Sequence, residues 1–171
     1  FRSEAVQLGV IEKCAAYAAR EHGDARRAID LLRVAGELAE RSNSKIIGIK
    51  HLDEAESKIE SDKILNAVIS QPKQFQAVLY SILLLAPNKK AIFTGEIYDV
   101  YQTLCKKIRF NILTQRRVSD ILAEFDMLGI INAKIISKGR YGRTREVSVA
   151  LEEKIKSKLK EIIEKSIQLN S

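Results

Sequence analysis

The chain has 171 residues, of which 46% are hydrophobic, enough for one large domain or two small ones. That composition excludes wholesale disorder, and the scarcity of glycine (8) and proline (2) favours helices joined by short connections. The formal net charge of +7 is unevenly spread: residues 1–60 carry 10 basic and 11 acidic side chains, residues 61–171 carry 19 and 11, and within them 106–145 carry 10 and 3. A basic excess concentrated in one stretch points to a polyanionic partner, with a merely solvated basic face as the plainer alternative.

The two cysteines, Cys14 and Cys105, are far apart, form no CxxC pair and lie near neither His22 nor His51. A zinc site and a disulfide framework are therefore not expected, and neither is any other metal site. The expected compartment is a reducing cytoplasm. No apolar run approaches the ~18 residues of a membrane span, and no signal peptide is recognisable. The start at Phe1 rather than Met leads to the expectation of a fragment of something longer.

In chain order, Val10 to His22 has apolar residues at helical spacing (Ile11, Cys14, Ala15, Ala18, Ala19) and ends at Gly23. Asp24 suits the N-cap of a second helix running to about Ser42, with Ala28, Ile29, Leu32, Ala35, Leu38 and Ala39 as its apolar face. Residues 46–49 form a brief extended link. A third helix runs from about His51 to Ile69 through Leu52, Ala55, Ile59, Leu65 and Val68. Gln71-Pro72 marks a domain boundary, because proline disfavours helix in the residue before it and is tolerated in a first turn. The expected domains are 1–70 and 71–171.

The second unit opens with a helix from Lys73 to Leu85, followed by a turn at Pro87-Asn88. Thr94 is read as the cap of a helix with Ile97, Val100, Tyr101, Leu104 and Ile108 inward. Thr114 is read as the cap of the next, with Val118, Ile121, Leu122, Phe125 and Leu128 inward and a stop at Gly129. A hairpin over 131–149 and a final helix over 151–169, with Ile155, Leu159, Ile162 and Ile163 on one side, complete the order. Three helices, a hairpin and a helix make a winged-helix domain. The fold class is thus mostly α, with a small helical unit before the winged helix.

The helix from Thr114 carries Arg116, Asp120 and Ala123 on its outer side, flanked by Gln115, Arg117 and Ser119. Arginine can bridge guanine O6 and N7, glutamine can pair with adenine, and Ser119 and Arg117 suit phosphates. The plainer reading is a solvated amphipathic face in which Asp120 pairs with Arg116. The hairpin turn crowds Lys138, Arg140, Arg143 and Arg145 around Gly139 and Gly142, with Tyr141 able to pack on a sugar or cover the turn. Such a helix enters a major groove while such a wing reaches the backbone or minor groove. The plainer reading of the arginines is protection of an edge strand.

One motif remains. Gly23-Asp24-Ala-Arg26-Arg27-Ala-Ile-Asp-Leu-Leu-Arg33 places two arginines in a helix's first turn, where they oppose the macrodipole. This segment, continuing Val-Ala-Gly-Glu-Leu-Ala-Glu, resembles the sensor-2 segment of the archaeal replication initiators related to the eukaryotic origin recognition complex, which are AAA+ ATPases with a C-terminal winged helix. His51-Leu-Asp-Glu-Ala-Glu-Ser-Lys-Ile-Glu60 is similar to that family's last lid helix, and Gln74 to Leu85 to its first winged-helix helix. The resemblance implies that 1–70 is an AAA+ lid and that Arg26 reaches nucleotide phosphates from it. It further implies ATP or ADP with magnesium in the full-length protein, double-stranded origin DNA as partner, and recruitment of the replicative helicase.

The sequence contains no G-x-x-x-x-G-K-[ST] loop, so the phosphate cradle is expected to belong to a module outside this chain. The expectation is a monomeric, nucleoid-associated fragment with no cofactor and no catalytic residue of its own. It binds DNA through Thr114, Gln115, Arg116, Arg117, Ser119, Lys138, Arg140, Tyr141, Arg143 and Arg145. The alternatives are a winged-helix transcription regulator dimerising through its N-terminal helices, and a helical protein-interaction module.

Overall fold

The computed structural model describes residues 5–20, 24–137 and 143–169. The chain divides into two compact units, Phe1–Lys63 and Ile64–Ser171. The division falls inside a helix, eight residues before the Gln71-Pro72 signal read from the sequence. Among the described residues no helix is long and apolar enough to cross a membrane.

The first unit holds α1 (Val10–Arg20), α2 (Ala25–Arg41) and most of α3 (Ile49–Ile69). Asp24 caps α2 as its sequence suggests, its carboxylate accepting from the Arg26 amide at 2.9 Å. The buried stripes differ from those expected. In α1 the inward residues are Val10, Cys14 and Ala18, a strict four-residue spacing, whereas Ile11, Ala15 and Ala19 are exposed. In α2 they are Arg27, Leu31, Val34, Ala35 and Ala39, and Ile29 is exposed. The stripe is headed by an arginine that is buried at 8% exposure with its guanidinium paired to Glu56 and Glu60, a position that apolar spacing does not mark. A parallel bridge between Val6 and Ile47 ties the segment before α1 to the link before α3.

Helix α3 contributes to both cores. Leu52 and Ala55 belong to the first, Leu65 and Val68 to the second.

The second unit is built on α4 (Lys73–Leu85), in which every residue from Phe75 to Leu83 is buried. A helix apolar all round belongs in the middle of a core, and α4 packs against α5 (Thr94–Ile108), α6 (Gln115–Met127) and α7 (Glu153–Ser166). A 3-10 turn, Ala86–Asn88, follows α4, as Pro87 suggests. Three antiparallel strands, β1 (Ile92–Phe93), β2 (Ile131–Ser137) and β3 (Arg143–Val149), form a sheet in the order β1-β3-β2. Val147, paired with Ala133 on one side and Ile92 on the other, is its buried centre.

Three local readings change. Thr94 is the first residue of α5 rather than its cap; the Glu96 carboxylate takes the Phe93 amide at 3.0 Å, and the Thr94 hydroxyl turns to β3. Leu128 is exposed, lying beyond the last turn of α6. Strand β1, two residues long, carries no sequence signal of its own. Gly129 stops α6 as expected, with φ at +68°: its amide bonds the Asp126 carbonyl and that of Ile130 bonds Phe125, both at 3.0 Å.

Candidate nucleic-acid interface

Helix α6 presents its first turns to solvent because its other side is fully committed. Val118, Ile121, Leu122 and Phe125 are buried, and Phe125 meets Phe75 of α4 edge-on with ring centroids 6.2 Å apart. Thr114 caps the helix, its hydroxyl accepting from the Arg117 amide at 3.3 Å. This leaves Gln115, Arg116 and Asp120 exposed and Ser119 half-buried.

The two arginines of this turn differ. Arg117 is drawn back onto the protein: its guanidinium lies 5.6 Å from the Phe75 ring centre and 3.9 Å from Glu124. Arg116 is exposed, lines the cleft beside α6 and, among the described residues, forms no ion pair with Asp120. The Arg116–Asp120 pairing of the plainer, solvated-face reading is therefore not formed among the described residues.

A cleft of about 470 Å³ separates α6 from the sheet. Gln115, Arg116 and Ser119 line it from α6, Ile135 from β2, Arg143, Thr144 and Arg145 from β3, and Thr94 from α5. Among the described residues the charged ones on its walls are three arginines, so the cleft is strongly cationic. Arg143 is exposed at the beginning of β3. Arg145 is half-buried and donates from Nη1 to the Ser119 carbonyl at 2.7 Å. Ile135, which pairs with Arg145 in the sheet, is 62% exposed, placing an apolar side chain on the cleft wall.

Of the ten residues expected to touch DNA, Gln115, Arg116, Ser119, Arg143 and Arg145 are gathered around this cleft; Thr114 and Arg117 stand in the same turn of α6 but off its walls. Lys138, Arg140 and Tyr141 lie outside the described residues. Thr94, Thr144 and Ile135 line the cleft and were not singled out. Ile135 had a signal, since the Ile135-Ile136 pair breaks the inside-outside alternation of a strand; Thr94 had none, because its neighbours in space are distant in sequence.

In the first unit, Arg26 is exposed and Arg27 is buried, its Nη2 donating to Glu56 at 2.9 Å and Glu60 at 3.3 Å, both on α3. Nearby on the same unit, Asp53 accepts from Lys13 at 2.8 Å and from Tyr17 at 2.6 Å. Those hydrogen bonds, Lys13 first, hold the Asp53 carboxyl below its ordinary range. Among the described residues no group of three or more metal-ligating side chains gathers.

Residues 66–158 match the family model of the CDC6 C-terminal winged helix domain, and residues 1–57 match that of the Cdc6 AAA+ ATPase-type lid domain. The chain belongs to the Cdc6 family. It is an AAA+ lid followed by a winged helix, the order and fold that the sensor-2 resemblance implies.

Similar proteins agree. The ORC1-type DNA replication protein 7 of Halobacterium salinarum is 51% identical over 152 residues, covering 88% of this chain and 29% of that protein. The ORC1-type DNA replication protein 1 of Archaeoglobus fulgidus is 45% identical over 171 residues, all of this chain and 41% of the relative. Among solved structures, the Aeropyrum pernix ORC1 protein in complex with DNA superimposes with a TM-score of 0.81 at 41% identity, over 96% of this chain and 42% of that one. The Cdc6-type chain therefore spans less than half the length of these relatives.

Proposed function

We propose that this chain binds duplex DNA through α6 and the β2–β3 wing, as the lid and winged-helix part of a replication initiator. The observation that carries the reading is the cleft between α6 and the sheet, lined by Arg116, Arg143 and Arg145 with no carboxylate among the described residues on its walls. The relatives are ORC1-type DNA replication proteins, and the ORC1 structure of similar fold was solved in complex with DNA. Arg116 reads a guanine edge and Gln115 an adjacent base, since both sit on the exposed first turn that a recognition helix lays in the major groove. Arg143, with Lys138, Arg140 and Tyr141, holds the neighbouring backbone. Thr114, Arg117 and Ser119 contact phosphates at the helix start, where amides also point outward.

In the longer protein, Arg26 reaches the phosphates of ATP or ADP held with magnesium by a phosphate-binding module, and nucleotide state governs origin binding and recruitment of the replicative helicase. Arg26 suits this task because it is exposed, whereas Arg27 is committed to Glu56 and Glu60. The chain on its own has no phosphate-binding loop, acts as a monomeric DNA-binding unit in the nucleoid, and turns over no ATP.

Fluorescence anisotropy with a labelled duplex tests the DNA reading. Neutralising about four to six phosphates gives a slope of log K against log salt of roughly −4 to −5. Arg116→Ala costs about 1–3 kcal/mol at one base pair and relaxes discrimination there. Arg143→Ala flattens the slope by about 0.9. Full affinity and an unchanged slope in the double variant, with its helicity intact, contradict the assignment.

A further inference from the structure

Arg145 stands where three elements meet. Its backbone carbonyl and amide lie 3.4 and 3.3 Å from the Thr94 hydroxyl, the first residue of α5. Its side chain crosses to α6 and donates to the Ser119 carbonyl at 2.7 Å. One residue of β3 is therefore bonded to both α5 and α6, and of the three described cleft arginines it alone is half-buried. A guanidinium bonded to a carbonyl in a partly desolvated site makes a short, charge-assisted hydrogen bond with a preferred direction. The strand it belongs to is the middle one of the sheet, paired on both sides, so its position is fixed from β1 and from β2.

We infer that Arg145 and Thr94 form a brace that sets the spacing between α6 and the wing, and that Arg145 is a positioning residue rather than a phosphate contact. The inference rests on the duplex reading above for its purpose. A groove-reading helix and a backbone-gripping wing cooperate only at one separation, and holding that separation before DNA arrives removes an ordering cost from binding. Because discrimination depends on geometry while non-specific attraction depends on charge, loosening the brace degrades discrimination first.

The test compares Arg145→Met, which keeps the stem and removes charge and donors, with Thr94→Val, which removes the hydroxyl at constant shape. Arg143→Ala is the comparator. The probes are a duplex selected from a random 24-base-pair library by the unmodified chain and a scrambled duplex of the same composition. The brace predicts that Arg145→Met and Thr94→Val both lower the selected-to-scrambled affinity ratio, by about tenfold, with the salt slope unchanged, while Arg143→Ala lowers the slope by about 0.9. Partial unfolding weakens both duplexes equally and so leaves the ratio where it was.

A second reading needs no DNA. Spin labels on Asp120→Cys of α6 and Lys134→Cys of β2, both exposed positions, report the helix-to-wing distance, and the native Cys14 and Cys105 are buried. The distribution is narrow in the parent and broadens in Arg145→Met and in Thr94→Val. A slope lowered by about 0.9 in Arg145→Met, with Thr94→Val silent and distances unaltered, overturns the brace and makes Arg145 an ordinary phosphate contact. A parent chain that binds no duplex, with distances that still broaden in both variants, overturns the duplex reading and upholds the brace.

Discussion

Arg27 and Arg26 are neighbours in the first turn of α2, yet one is 8% exposed and paired with Glu56 and Glu60 while the other lies in solvent. The pair holds α2 to α3, because removing either partner leaves a charge in a place water reaches poorly. Arg27→Ala should therefore cost about 3 kcal/mol, the lower end for a buried pair since Glu60 is half exposed. Arg26→Ala should stay within about 0.5 kcal/mol. Urea unfolding of the two variants separates them; equal, small losses show that the ion pair contributes nothing. The sequence marks both arginines as oddly placed against the helix dipole, but cannot say which turns inward. The deciding carboxylates are 29 and 33 residues away.

Helices α2, α4 and α6 were legible nearly to the residue because their ends are written locally, in Asp24, Pro72, Thr114 and Gly129. The faces were less so. Spacing alone cannot choose between stripes one residue apart, and Ile11 and Leu32 lost to Val10 and Leu31. Strand β1 could not be found at all, since two residues make a strand only through pairing with Val147 and Glu146. The cleft was half legible: its α6 wall followed from amphipathicity, whereas Thr94 enters through a hydrogen bond across 51 residues. Gly129 offers a test of the α6 stop. A Cβ there meets nothing within 4 Å, so only its positive φ opposes substitution. Gly129→Ala should cost about 1–2 kcal/mol, the left-handed penalty for an L-residue, visible as a lowered Tm. A neutral or stabilising effect contradicts the left-handed assignment.

Each compact unit encloses one thiol, Cys14 in the first and Cys105 in the second. Burial, the leading cause in both, raises each thiol above its ordinary value of 9.0. Burial likewise raises the Tyr80 and Tyr101 hydroxyls. A raised folded pKa means that the folded state keeps its proton while the unfolded chain has already lost it. Stability from these groups is therefore complete below about pH 8.5 and falls as pH rises through the thiol and then the tyrosine range. Denaturant midpoints at pH 7, 9 and 10.5 should fall in that order; a midpoint that holds constant to pH 10.5 contradicts the buried placement. Slow thiol labelling at pH 8, released by urea, should report the opening of each unit separately.

At this scale the charge asymmetry of the sequence was the most legible feature, because net charge by segment needs no fold to be counted. Its concentration into one cleft was not legible, since that depends on how β3 crosses α6. Mapping amide chemical shifts of the whole chain during titration with a short duplex tests the central claim most directly. The account predicts perturbations at residues 114–120 and 143–146, with amides of α1 and α2 unmoved. Shifts confined to the first unit or to α7, with α6 and β3 unchanged, contradict it.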